Sequence, residues 1–333
     1  MAFDTVTDQP GRRVRRGRPL AAAALLMAGA AAPAAAQTRE LAQRCTGDPV
    51  AAIEIRCQEA ALAVEALQAG VGLALVGGNP LPGGASSLGR RFGRTPRVAL
   101  NARVGLTRFP LPDLAGATVG DQRVLVPSIH ATATVGVLNG FSPAPTVGGL
   151  LSLDLLATVG AAFLPDDRGL PGTATGWGYG ARVGLLRESF TLPGVTVSVT
   201  RNHSGTVDFV PVGPDGEPRA AVDVTTTSVR GVVGKELMAV GLLAGAGWDR
   251  YSSDGSVTPR ATVADPIPDP RPVGNVTSDR ALFFAGISRT FLVLQLSGEV
   301  GWARGFGEVD PALPGYDPGA GTLFGTVSLR LTF

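Results

Sequence analysis

The last eleven residues of the chain alternate strictly, and they stop on an aromatic residue. From Leu323 to Phe333 the odd-numbered residues are apolar or Gly, while four of the five even-numbered residues are polar. Successive side chains of an extended strand point to opposite faces, so one face of this segment suits lipid and the other suits water. The segment is therefore predicted to be a strand of a membrane-spanning sheet.

This terminal segment resembles the closing strand of bacterial outer-membrane β-barrels. In those proteins a terminal Phe preceded by apolar residues at alternate positions acts as an assembly signal for the barrel-insertion machinery. The matching residues here are Val327, Leu329, Leu331 and Phe333. The resemblance implies outer-membrane lipid and, during biogenesis, the barrel-assembly machinery as partners. It implies no substrate.

Residues 1–36 have the order of a secretory signal peptide. Five Arg between residues 12 and 18 precede an apolar run at 20–32, and Pro33-Ala-Ala-Ala36 provides an Ala-x-Ala cleavage site. A transmembrane anchor is the alternative, but the run is Ala-rich and shorter than the roughly 20 residues that a membrane helix needs. We expect Sec export in a Gram-negative-type bacterium and location in the outer membrane.

Removal of this segment changes the charge balance. It takes five Arg and two Asp from 29 basic and 27 acidic residues, leaving 24 and 25, so the net charge goes from +2 to −1. A strongly basic surface that would favour nucleic acid as a partner is therefore not expected.

The rest of the chain is predicted to be all-β. The full sequence is rich in Gly (46) and Pro (26), and the part after residue 36 has no interior apolar run long enough for a membrane helix. Residues 97–333 contain about ten extended segments, an even number typical of an antiparallel up-and-down transmembrane barrel, although twelve strands remain an alternative. The segments are 97–108, 123–137, 148–164, 174–187, 194–205, 220–234, 238–252, 278–290, 292–305 and 321–333.

The connections between these segments alternate in length. Such barrels have short turns on the periplasmic side and longer loops outside. The polar stretches 109–122, 165–173, 206–219, 253–277 and 306–320 are long, whereas most of those between them are short. The first and last strands of the barrel are thus expected to have their chain ends on the periplasmic side, and any extracellular ligand is expected at loops 109–122, 206–219 and 253–277.

A helical segment is predicted at 37–76, followed by a Gly/Pro/Arg linker at 77–96. Asp48-Pro49 resembles a helix start, and the residues that follow favour helix. Cys45 and Cys57 lack the CxxC spacing of metal or redox pairs, so a structural disulfide is expected in an exported chain. The helix is apolar on several faces and needs cover. It is expected at the periplasmic mouth or in the lumen, with an extra strand at 71–76 as a further alternative.

The alternation assigns side chains to the two faces of the barrel. An aromatic girdle is expected on the lipid side, formed by Trp177, Trp248, Tyr251 and Trp302. Charged residues are expected to pair inside the lumen, because unpaired buried charges are costly. The predicted network comprises Arg103, His130, Asp154, Arg182, Asp223, Arg280, Glu299 and Arg330. The pattern is less regular in 220–234 and 278–290, where Arg230 and Phe284 fit poorly and bulges are expected.

The sequence offers little support for catalysis. Hydrolytic barrels of this compartment carry His-x-Ser on one strand, which puts both side chains on one face. Here His203 and Ser204 are adjacent and point to opposite faces, and His130 has no acidic constellation beside it. No cofactor or metal is predicted.

We expect a non-enzymatic outer-membrane barrel with a structural, surface-binding or narrow-channel role. An outer-membrane hydrolase of lipid or peptide and a soluble secreted β protein are the alternatives.

Overall fold

A computed structural model describes most of the chain after residue 50. The described residues are 51–91, 95–113, 120–142, 148–170, 172–209, 219–238, 240–258, 271–305 and 315–333. The predicted signal peptide and the segment 37–50 lie outside them. The predicted disulfide cannot be placed, since Cys45 precedes the described residues and the side chains of 51–60 are not among them.

The described residues form one long helix and a series of antiparallel strands. Helix α1 spans Ala51–Val76. The strands are β1 (Arg90–Arg91), β2 (Thr95–Pro96), β3 (Val98–Asp113), β4 (Gly120–Leu138), β5 (Ser152–Phe163), β6 (Thr173–Leu186), β7 (Gly194–Ser204), β8 (Val207–Phe209), β9 (Arg219–Leu237), β10 (Val240–Thr258), β11 (Arg271–Phe291), β12 (Leu294–Ala303) and β13 (Thr322–Thr332).

Ten of these strands close into a barrel. The order is β3 to β7 and then β9 to β13, and the short β8 adds to β9 beyond the end of β7. Closure occurs between the first and last strands, where Val327 lies opposite Val104. A closed sheet leaves no strand edge unpaired. The predicted all-β barrel and its ten strands are confirmed, and the twelve-strand alternative is wrong.

The outer surface of the barrel is apolar. Val104, Val159 and Val300 expose 55, 58 and 69% of their surface, while their neighbours in sequence point inward. The inward and outward alternation also holds in β9 and β11, where Arg230 and Phe284 face the lumen and are buried. The prediction that bulges disturb the pattern at these two residues is therefore wrong. Register shifts occur instead at Gly136/Leu138, Gly184/Leu186 and Gly255/Ser256.

Helix α1 lies inside the barrel. Every residue from 61 to 76 is buried, and the helix contacts β3 to β7 and β9 to β11. A helix that is apolar all round is stable in water only when it is covered on all sides, and the inner wall of the barrel gives that cover. No helix in the described part of the chain is long and apolar enough to span a membrane.

The two ends of the barrel differ in their connections. We call the end with the tight β9–β10 and β11–β12 turns the short-turn end, and the opposite end the long-loop end. The first described side chains of α1 pack with Phe109, Phe209 and Val222, which lie towards the long-loop end. The last turn of α1 reaches mid-lumen beside Arg103. Residues 77–91, here called the connector, then continue to the short-turn end.

Candidate functional site: the occupied lumen

Two glycines let the wall of the barrel approach α1 closely. A Cβ added at Gly70 would overlap the ring of Phe109 on β3, and one added at Gly72 would lie 2.5 Å from Tyr251 Cε1 on β10. The glycines thus remove side-chain volume at the two positions where aromatic rings of the wall meet the helix backbone.

Polar groups in the middle of α1 bind the wall directly. The side-chain amide of Gln68 donates to the Val276 carbonyl at 2.8 Å, and its Oε1 accepts from Ser278 Oγ at 3.2 Å. Arg280 donates from Nη1 to the Ala69 carbonyl at 3.1 Å. Buried polar groups need such partners, so these bonds fix the rotation of α1 within the lumen.

The end of α1 is held by the guanidinium of Arg103. It donates to the carbonyls of Gly77 at 2.6 Å and of Val76 and Asn79 at 3.2 Å. The last carbonyls of a helix have no partners within the helix and carry partial negative charge, which a cation stabilises. Glu299 accepts from the Asn79 backbone amide at 3.2 Å. Arg103 and Glu299, both members of the predicted network, therefore hold the chain where α1 ends.

An ion pair absent from the predicted network lies beside this cap. Arg230 on β9 donates to Asp249 on β10 through two bonds of 2.6 and 2.9 Å, and Tyr251 donates its hydroxyl to the same carboxylate at 2.9 Å. Arg230 also donates to the Gly78 carbonyl at 3.2 Å. The pair therefore joins two wall strands to the start of the connector.

A second ion pair holds the connector near the short-turn end. Arg182 and Asp154, both in the predicted network, are neighbours across β5 and β6, and their closest N–O distance is 2.8 Å. Asp154 also accepts from the Leu88 and Gly89 amides, and Arg182 donates to the Ser86 carbonyl at 2.9 Å. These charged side chains of the lumen thus bind α1 and the connector. They do not line an open channel.

Two predicted assignments are wrong. Asp223 is exposed on the outer face of β9, because the inward residues of that strand are even-numbered. Tyr251 is fully buried in the lumen and does not belong to an outer girdle. The lumen carboxylate on β10 is instead Asp249, which pairs with Arg230 and was absent from the predicted network.

The remaining predicted residues lie on the expected faces. Trp177 and Trp302 are exposed on the outer surface, and Trp248 is half-buried there with Arg250 over its ring. Arg280 and Arg330 point inward. Val327, Leu329, Leu331 and Phe333 are exposed on the outer face of the closing strand.

The two histidines have different surroundings. His203 faces outward, 4.9 Å from the Trp177 ring, whereas Ser204 accepts from the Val224 amide at 2.8 Å. His130 is buried in the lumen and pairs with Ser128 at 3.1 Å. The described residues include no cluster of three metal-ligating side chains.

The centres of the loops expected to bind an extracellular ligand, at 114–119, 210–218 and 259–270, lie outside the described residues.

Comparison with solved structures finds several bacterial membrane barrels. The translocator domain of the autotransporter NalP from Neisseria meningitidis has 10% identity and a TM-score of 0.43, over 72% of this chain and 88% of that one. The transport unit of the autotransporter AIDA-I from Escherichia coli has 9% identity and a TM-score of 0.36, over 82% and 99%. Neisserial surface protein A has 9% identity and a TM-score of 0.30, over 71% and 97%. No protein-family model and no curated protein sequence matches the chain.

Proposed function

We propose that the protein is a non-enzymatic outer-membrane barrel that is closed by its own helix α1 and has a structural or surface-binding role. The observation that carries the proposal is the complete burial of residues 61–76 inside the closed sheet. A barrel whose outer face is apolar belongs in lipid, and its short turns and terminal strands belong on the periplasmic side.

The spaces left beside α1 favour a closed lumen over a narrow channel. Two cavities between the helix and the wall have volumes of about 10 and 20 Å³, and both include Leu75 and Val76 in their lining. A water molecule needs roughly 10–15 Å³ of such volume, so each cavity holds about one water. Hydrated ions have no path at these points.

Planar-bilayer recording tests this proposal. The purified full chain is expected to give no steady conductance, whereas a variant lacking residues 37–76 is expected to conduct if it remains heat-modifiable on gels. Heat-modifiable migration serves as the control for an intact barrel in both proteins. Steady ohmic conductance of the full chain would overturn the closed-lumen proposal.

The direction of α1 favours surface binding as the second part of the role. Because α1 enters the lumen at the long-loop end, its first residue, Ala51, lies on the side of the barrel that carries the long loops. We propose that this end faces the cell exterior and is the end that meets an extracellular ligand.

Epitope accessibility on intact cells tests this topology. A tag inserted after Thr38 is expected to react with antibody on whole cells, and a matched tag after Met238 in the β9–β10 turn is expected to react only after permeabilisation. The reverse pattern would contradict the proposed orientation. The same cells report whether the protein fractionates with the outer membrane, as the predicted signal peptide and the terminal assembly signal require.

A further inference from the structure

A large cavity opens at the short-turn end of the barrel, away from the outer loops. Its volume is about 950 Å³, within the range of small-molecule sites, and the connector forms one of its walls. The charged residues that line it are Arg90, Arg97, Arg187, Glu188, Lys235, Glu236 and Arg330. Five cations against two carboxylates give this cavity an excess of three positive charges.

Neither carboxylate of the cavity forms a salt bridge with one of its arginines. Glu188 lies 3.7 Å from Lys235 Nζ, and Glu236 accepts from Thr290 Oγ1 at 3.2 Å. Arg90 and Arg187 donate to backbone carbonyls of the β4–β5 connection and the strand end before it. Within the described residues, none of the four arginines forms a salt bridge.

Arg330 is the most isolated of these cations. Its side chain is only partly accessible, and Nη1 reaches the Pro82 carbonyl at a long 3.5 Å. Its Nε is buried and has no hydrogen-bond partner among the described residues. A guanidinium has five N–H donors, and leaving a largely buried one unpaired is costly. Because Arg330 lines the cavity, an acceptor held there would meet the outer part of its guanidinium rather than the buried Nε.

We infer that this cavity binds a phosphate group, with Arg330 at its base and Arg97 and Arg187 at its rim. Arginine binds phosphate through paired, charge-assisted hydrogen bonds, and three excess positive charges suit a multiply charged anion. The group has two sources, free phosphate in the surrounding solution and the headgroup of an anionic phospholipid from the adjoining leaflet. The inference concerns the opposite end of the barrel from the proposed surface role and does not depend on it.

Calorimetric titration of inorganic phosphate into the full chain, in a neutral detergent at constant ionic strength, tests the first source. The Arg330→Gln variant is expected to lose at least tenfold in affinity, and the Arg97→Gln/Arg187→Gln double variant several-fold. Arg201→Gln, which removes an exposed arginine on the outer face of β7, is the matched control and should bind like the parent protein. If Arg330→Gln does not give a heat-modifiable barrel, the double variant carries the test, since both its arginines are exposed.

Nanodiscs test the second source. Lipid retained after delipidation is counted by mass spectrometry for discs of phosphatidylglycerol and of phosphatidylcholine. Selective retention of phosphatidylglycerol that is lost in the cavity variants would assign the site to a headgroup, and phosphate binding without such retention would assign it to the free anion. Absence of binding in both arms, or an equal loss in Arg201→Gln, would overturn the inference.

Discussion

Arg230 and Asp249 form a two-bond ion pair in the lumen wall, with N–O distances of 2.6 and 2.9 Å. Their side chains are 1% and 0% exposed. The carboxylate also accepts from Tyr251, and the guanidinium also binds the Gly78 carbonyl. Each charge is thus compensated by the other and by neutral hydrogen-bonding groups, which include the wall carbonyls of Val229 and Trp248.

Replacement of one member of this pair should destabilise the barrel strongly. Arg230→Met leaves the Asp249 carboxylate buried without its cation, and breaking such a pair costs about 3–5 kcal/mol. Unfolding by urea in lipid vesicles, followed by tryptophan fluorescence, measures the change in the free energy of unfolding.

Two further variants separate the ion pair from the loss of one side chain. The double variant Arg230→Met/Asp249→Leu should recover most of the lost stability, because no uncompensated charge remains. Arg250→Met removes the exposed partner of Asp279 and should cost less than about 1 kcal/mol. Equal losses in Arg230→Met and Arg250→Met would show that burial of the pair has no energetic consequence.

Gly70→Ala should reduce stability although the same change usually stabilises a helix. In a helix interior the change normally gains about 0.5–1 kcal/mol. Here the added methyl would overlap the Phe109 ring, and overpacking of this kind costs about 1–3 kcal/mol. The double variant with Phe109→Leu should recover part of the loss, and Gly298→Ala, whose nearest new neighbour is Thr326 O at 3.9 Å, should be neutral. A stabilised Gly70→Ala protein would contradict the close approach.

The strands were predictable from the sequence because each has one face in lipid. The alternation of β13 and β3 sets which residues face outward, and closure then pairs those strands. Aromatic identity misled the prediction for Tyr251, which has the parity of Asp249 rather than that of Trp248. Counting parity through β10 would have placed Tyr251 and Asp249 in the lumen together.

Other parts of the site could not be predicted from one strand at a time. In β9 small and polar residues from Ala220 to Ser228 occupy both faces, so Asp223 and Arg230 could not be assigned from local pattern alone. The apolar helix required cover, but the periplasmic mouth and the lumen both satisfied that requirement. The lumen is selected by contacts distant in sequence, such as that between Gln68 and Val276.

Arg103→Met should loosen the end of α1. It removes three bonds to the carbonyls of Val76, Gly77 and Asn79, and bonds to a charged group contribute about 1.5–3 kcal/mol. Hydrogen exchange should become faster at the amides of residues 70–79. Arg103→Lys should rescue little, because an ammonium lacks the planar fork. Arg108→Met, at an exposed outward position of β3, is the control and should leave exchange in α1 unchanged.

Tyr316, in the β12–β13 connection, should make stability depend on pH in the alkaline range. Burial raises its pKa well above the ordinary value, and the nearby carboxylates of Glu65, Asp121 and Asp317 add to this effect. The folded protein therefore favours the neutral phenol, whereas the unfolded chain ionises near pH 10. This contribution is complete below about pH 10 and is lost as the pH rises further. The loss of unfolding free energy between pH 8 and pH 11 should be smaller in Tyr316→Phe than in the parent protein. An equal loss in the two proteins would exclude this assignment.

A charge on the outer face should cost more at mid-strand than at the short-turn end. Val300 is 69% exposed on β12, whereas Phe190 is 97% exposed in the β6–β7 connection. A lysine in the middle of the bilayer costs about 2–4 kcal/mol, and one near the interface about 0–1 kcal/mol. Val300→Lys should therefore lose more stability in vesicles than Phe190→Lys does. In a soluble barrel both positions would face water, so small and equal effects would favour the secreted alternative and remove the membrane from the proposed function.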